Sequence, residues 1–355
     1  MMPGKRVVVF LLSIFLFSIT TYAQSDLQLA APGPYAVGLK TMRFQDVSRD
    51  KVVINTSIWY PALVGADGKA VEPDQSGAPY PLVLYSHGGG SSPAEAVDTG
   101  LAQALVSQGF VVAAMRHGSD SSTNSWVDRP LDLLFVLNSL AALDEGELVG
   151  MINTDKVGVT GWSSGGYTSM AAAGARLNPL LIKDLLDSPF DPEDMTDPRY
   201  FYPDWNWDTF AEYGSRFLTL DGDNLWPAMT DERIQAVLPI AGGDAPLFGE
   251  AGTAAISKPV FMIAATADQY NPYPVNIVPA FEGVGAVDHY LLTLVNEDHY
   301  FPIDPVMQPV LAHFAVAYFG YYLQGKEDYA RYLSADYITS LTEYDNLVWG
   351  VYSEE

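Results

Sequence analysis

Two adjacent serines, Ser163 and Ser164, stand between glycines in "KVGVTGWSSGGYTSMAAAG", residues 156–174. The stretch Gly161-Trp162-Ser163-Ser164-Gly165 fits Gly-x-Ser-x-Gly, a sharp strand-to-helix turn in which glycines two positions away relieve crowding around a strained serine. A strand-like run precedes it and a small-residue helical run follows. In that register Ser163 is the nucleophile, and Ser164 contributes a backbone N–H to an oxyanion site. The register centred on Ser164 lacks the first glycine. The plainer alternative is a small-residue turn with no chemistry.

A serine hydroxyl needs a base, and the base needs an acid to orient it. The histidines are His87, His117, His289, His299 and His313. In this architecture the chain order is serine, acid, histidine, which leaves the last three. His299 follows the run "YLLTLVNED" directly and is the expected base. His289 precedes that run and belongs at the opposite sheet edge, and His313 lies mid-helix. Asp268 ends "PVFMIAATAD" and is the expected acid, because sites in open α/β sheets gather at the carboxyl ends of strands. Asp244, after the preceding strand, remains an alternative. The second oxyanion donor is expected in "SHGGGSS", where glycines let bare N–H groups approach a substrate. Gly89 is the choice, with Gly88 and Gly90 as its neighbours at the substrate. His87 is read as structural, and His117 as a buried support for the loops.

The elements that must position these groups alternate along the chain. Strand-like runs are expected at residues 81–87, 110–115, 156–161, 234–242, 259–266 and 290–295. A helix is expected from Pro93 to Gly109, another from Asp128 as cap through Leu143, and a closing helix over "MQPVLAHFAVAYFGYYLQG". Two further strands, in "YAVGLKTMRFQDVSRDKVVINTSIWYPA", flank a turn at residues 48–51. This predicts a mostly parallel central sheet with helices on both faces. Residues 177–233, rich in Pro, Asp and aromatics, interrupt the rhythm. They are read as an insertion after the nucleophile helix, either a lid over the site or a surface excursion packing its own aromatics. Within it "DGDN" (221–224) carries oxygen ligands for calcium, but only part of an EF-type loop; no metal is assigned.

Lys5 and Arg6, then the apolar run "VVVFLLSIFLFSI", then "TYA" have the layout of a signal peptide cut after Ala23. Residues 24–355 are then one domain, secreted or periplasmic, with no stable membrane insertion once the leader is removed. The chain contains no cysteine, which excludes a thiolate nucleophile and a cysteine zinc site. Its formal charge of −25 falls to −27 without the leader's two cations, a field that repels nucleic acid.

Together, "YPLVLYSHGGG", "LVSQGFVVAAMRHGSDSST", "DRPLDLLFVLNSL", "DKVGVTGWSSGG" and "HYLLTLVNEDHYFP" resemble the α/β-hydrolases known as predicted dienelactone hydrolases, akin to platelet-activating-factor acetylhydrolases and cutinase-like polyesterases. The likeness covers most of the chain and is weak over 177–233. It implies an α/β-hydrolase fold and a serine carboxylesterase that needs no cofactor. The substrate would be a small-molecule or polymeric ester, with short acyl chains favoured. The family's "SHGLG" loop corresponds to "SHGGG", which carries the oxyanion donor to Gly89. Nucleophile, acid and base carry over to Ser163, Asp268 and His299. The mammalian acetylhydrolase places its acid one strand earlier, which keeps Asp244 open. Trp162 is similar to the aromatic that lines the acyl site of polyester hydrolases. True dienelactone hydrolases use a cysteine, which this chain lacks. Two rival functions are a prolyl-peptidase-like serine peptidase and a secreted binding protein with an inactive site.

Overall fold

The structure is a computed structural model and describes residues 26–353 apart from 50, 66–67, 119–123 and 201–202. The expected leader, residues 1–23, lies outside the described residues.

Ten strands form one sheet. β1 (Ala36–Asp46) and β2 (Lys51–Val64) make an antiparallel hairpin, with β3 (Ala70–Pro73) pairing the end of β2 on the side away from β1. β4 (Tyr80–Ser86) follows, and then α1 (Glu95–Asp98), α2 (Leu101–Ser107), β5 (Val111–Met115) and α3 (Ser125–Ala141). β6 (Ile152–Trp162) leads into α4 (Ser164–Ala173), and the inserted α5 (Pro179–Asp187) and α6 (Trp207–Ser215) come next. β7 (Ile234–Ile240), α7 (Ala245–Ala254), β8 (Val260–Ala265), α8 (Val278–Glu282) and β9 (His289–Leu294) continue the alternation. α9 (Gln308–Gln324), α10 (Ala335–Ser340) and β10 (Leu347–Trp349) close the chain.

The strand order is β1-β2-β5-β4-β6-β7-β8-β9-β10. The six strands from β5 to β9 in that order are mutually parallel, while β1, β2 and β10 add antiparallel edges. Every residue of β5 and β8 is buried, as continuous apolar runs covered on both faces require. Two separate hydrophobic clusters result. One packs α3, α4 and the insertion on one face; the other packs α2 and α9 on the opposite face.

Several boundaries differ from the sequence expectation for identifiable reasons. The single helix expected after Pro93 is two, because Gly100 takes φ 75° between them. α3 begins a turn before Asp128, so that carboxylate caps nothing and instead meets Arg49 and the Tyr213 hydroxyl. The insertion is largely folded. Asn178 caps α5, Asn206 caps α6, and Trp205, Phe210 and Trp226 are buried against Trp126 of α3 and one another. The "DGDN" carboxylates are occupied by protein: the Arg176 guanidinium lies 2.7 Å from Asp221 and 2.6 Å from Asp223.

Candidate active site

The parallel strands bring three connecting loops to one end of the sheet. Ser86 of β4 pairs with Gly161 of β6, so the glycine loop after β4 lies beside the turn after β6. That turn puts Ser163 at φ 58°, ψ −119°, a conformation costing a non-glycine residue about 1–3 kcal/mol. The surroundings admit nothing larger at its flanks. A Cβ on Gly165 would stand 1.8 Å from the Ser86 carbonyl oxygen, and one on Gly161 2.2 Å from the same atom. One on Gly166 would meet the Gly242 backbone at 2.9 Å. The turn is held because Ser163 donates its N–H to the Ile240 carbonyl at 2.9 Å. Ser164 opens α4, so its N–H is one of those a helix leaves without an internal partner.

Asp268 and His299 meet across the ends of β8 and β9. Asp268 Oδ2 lies 2.7 Å from His299 Nδ1. Its other oxygen accepts the backbone N–H groups of Tyr270 and Asn271 at 2.9 and 2.8 Å, which fixes the carboxylate's plane. The imidazole is held from two further sides. The Trp162 indole N–H donates to the His299 carbonyl at 3.1 Å, and the Tyr270 ring meets the imidazole edge-on at 5.0 Å between centroids. Trp162 therefore packs against the imidazole while also lining the cavity. Both His299 and Asp268 are buried, and His299 shares a cavity of about 400 Å³ with Ser163, Ser164, Gly88, Gly89, Gly90 and Trp162.

A second cavity of about 380 Å³ joins the first at Ser163, Ser164, Gly89 and Tyr270, and runs beneath the insertion. Its walls include Trp126, Tyr167, Leu185, Met195 and Trp205. Asp244 lies in this second wall, at the head of α7 with φ 48°. Burial, and then the negative charge of Asp268, push its carboxyl up to about 7. Asp244 makes no side-chain cap to α7, and the structure brings Asp268, not Asp244, to the imidazole.

The glycine loop is tied down by groups that sequence reasoning did not single out. Glu95 of α1 accepts the Gly88 N–H at 2.9 and 3.1 Å and the Tyr85 hydroxyl at 3.0 Å. Arg129 of α3 donates to the carbonyls of His87 and Gly88 at 2.6 and 3.1 Å. His87 Nδ1 also holds the Gly88 carbonyl at 2.8 Å, while its Nε2 receives the His117 N–H at 3.3 Å. That pattern fits a neutral ring, and burial with His117 and Arg129 nearby drives His87 down to about 2. His117 in turn sits between Ser86 Oγ and Asp132 Oδ2, each at 3.0 Å. Only the "RPLD" spacing of Arg129 and Asp132, one helical turn apart, hinted at a shared face. His289 and His313 lie elsewhere, bound to the Ala286 carbonyl and the Leu29 N–H.

Residues 17–132 match the family model for platelet-activating factor acetylhydrolase, isoform II. The matched span contains the glycine loop, Glu95 and Arg129, and ends before Ser163. No curated protein matches the chain.

Proposed function

We propose that the protein is an exported serine esterase that transfers the acyl group of a small ester to water through Ser163, His299 and Asp268. The likeness to an acetylhydrolase family supports a hydrolase acting on esters. The observation that carries the residue assignment is the meeting of three features in one cavity. Ser163 stands on a strained turn, His299 faces the same space, and Asp268 holds the imidazole from behind at 2.7 Å.

In this reading His299 Nε2 takes the proton from Ser163 Oγ as the oxygen attacks the ester carbonyl. Asp268 keeps Nδ1 protonated and stabilises the imidazolium that forms. The N–H groups of Gly89 and Ser164 receive the oxyanion, with the N-terminal end of α4 adding its dipole. The tetrahedral intermediate collapses, His299 returns the proton to the departing alcohol, and an acyl-serine remains. Water then attacks the acyl-serine with the same proton route. Because His299 must reach the leaving oxygen, the alcohol portion belongs in the lobe it lines. The acyl portion points into the lobe beneath the insertion, and the insertion thereby acts as the acyl-side wall.

The test is hydrolysis of p-nitrophenyl acetate and butyrate by the wild type and by Ser163→Ala. Turnover by the wild type that the variant lacks supports the reading; equal turnover by both removes it. Export is part of the same proposal, and intact-mass measurement of the protein recovered outside the cytoplasm should give a chain starting at Gln24.

A further inference from the structure

Gly88 is held on both of its peptide bonds. Its N–H is taken by the Glu95 carboxylate, so it has no donor left for an oxyanion. Its carbonyl is held by Arg129 Nη2 and His87 Nδ1. A trans peptide sets its N–H opposite its C=O in one rigid plane. Fixing the Gly88 carbonyl therefore fixes the direction of the Gly89 N–H. Gly89 borders both lobes of the cavity beside Ser163, and a Cβ on Gly88 would lie only 3.6 Å from the Ser163 Cβ.

We infer that Arg129 and Glu95 are positioning residues which clamp the two peptides of Gly88 and so aim the Gly89 N–H at the oxyanion formed on Ser163. The inference rests on the esterase reading. Arg129 is almost fully buried, and its fork grips two successive carbonyls, those of His87 and Gly88. An ammonium group lacks that planar two-point geometry. Glu95 is also buried, and it grips the preceding N–H with both oxygens. Arg129 borders the lobe beneath the insertion and Glu95 the lobe that His299 lines, and both grip the glycine loop. Arg129 acts on the Gly88–Gly89 peptide that carries the Gly89 N–H, and Glu95 on the His87–Gly88 peptide before it.

The experiment measures kcat and KM for p-nitrophenyl acetate, and inhibition by butylboronic acid, for the wild type, Ser163→Ala, Arg129→Lys and Glu95→Gln. The boronic acid forms a bond from Ser163 Oγ to boron while the serine proton passes to His299. The product is a tetrahedral anion that needs the same oxyanion donors. Loss of one such donor costs about 10²–10³ in kcat, so a misdirected one should cost about tenfold or more. Arg129→Lys is expected to lower kcat by about that factor, leave KM within about twofold, and weaken butylboronic acid by the same factor as kcat/KM. Glu95→Gln, which keeps one acceptor for the Gly88 N–H, should show the same coupling at about three- to tenfold.

A purely structural role would lower the melting temperature without linking kcat/KM to boronate affinity. Unchanged kcat in both variants, or lost activity with boronate affinity intact, overturns the clamp. If Arg129→Lys does not fold, Glu95→Gln decides alone, and kcat within twofold of wild type there overturns it. If the wild type is inactive, or Ser163→Ala is active, the esterase reading fails and the clamp falls with it. If those two behave as expected, a failure among the other variants belongs to the clamp alone.

Discussion

Among the described residues, two constellations of serine, histidine and aspartate are built differently. In one, Asp268 lies 2.7 Å from His299 Nδ1 and Ser163 shares the imidazole's cavity. In the other, Asp132 lies 3.0 Å from His117 Nδ1, and His117 Nε2 already bonds Ser86 Oγ at 3.0 Å. By hydrogen bonds alone the second set is the more complete. Yet Ser86 ends β4 in regular strand pairing, is fully buried, and lines neither of the two lobes around Ser163. Its aspartate also answers Arg49, 2.9 Å away, so the set is part of a packed ionic layer behind the glycine loop. What separates the two is space for a substrate, a strained backbone that lifts the hydroxyl, and N–H donors around it. The three residue types by themselves do not make a site.

The comparison breaks most sharply at the serines. Ser163→Ala should lower kcat/KM by about 10⁴ or more. Ser86→Ala should leave activity within about fivefold and lower stability by about 1–3 kcal/mol, because it removes the buried hydroxyl bonded to His117 Nε2. Ester-hydrolysis rates and thermal melts of both variants check this, and a dead Ser86→Ala enzyme with an unchanged melt would collapse the distinction. Ser164→Ala keeps its backbone N–H and should stay within about threefold of wild type.

The acids sharpen the contrast next. Asp268→Asn should cost about 10³–10⁴ in kcat with little change in melting temperature, since an amide favours the wrong imidazole tautomer. Asp132→Asn should do the reverse. It takes one of three carboxylates from buried Arg49, which keeps Asp46 at 2.6 Å and Asp128 at 3.4 Å, a loss of about 1–3 kcal/mol with most of kcat retained. Kinetics and chemical denaturation on the same two preparations separate these outcomes.

The smallest effect concerns Asp244, a carboxyl in the wall of the cavity beneath the insertion. Its folded value near 7 lies above the ordinary carboxyl value, so the folded protein holds a proton there that the unfolded chain has released. That contribution is present at low pH and is lost as pH rises from about 4 to about 7. Asp244→Asn removes the titration. Its melting temperature should gain on the wild type across that window and hold the gain above it. Its kcat should fall far less than that of Asp268→Asn. A kinetic loss equal to that of Asp268→Asn would mean Asp244 serves as the acid.

Much of this arrangement was legible in the chain. Apolar runs of five to seven residues marked the parallel strands because burial on both faces leaves no polar alternation. The serine turn was readable because only glycine fits at 161 and 165. Pattern favoured Asp268 and left Asp244 as the alternative, since both follow strand ends; a 2.7 Å contact joins Asp268 to the imidazole. β10 is three residues long and exists through its pairing with β9, so it leaves no local signal. Glu95 and Arg129 look like ordinary helix charges until the fold folds them under the glycine loop.

The insertion has a closed neck. Trp226 donates its N–H to the Leu177 carbonyl at 3.0 Å, and Arg176 donates to the Trp226 carbonyl at 3.0 Å. The 48 residues between Leu177 and Trp226 thus leave and return at one point, outside the hydrogen-bond ladder of β6 and β7. Closing such an excursion carries an entropic cost that grows only with the logarithm of its length, about 0.6 kcal/mol for each doubling. Residues can be added to its exposed turns with little penalty to the sheet, provided Trp205 and Phe210 keep their seat against Trp126. The part of the cavity wall that this segment forms can therefore vary in length at those turns while the strand ends beneath it keep their places.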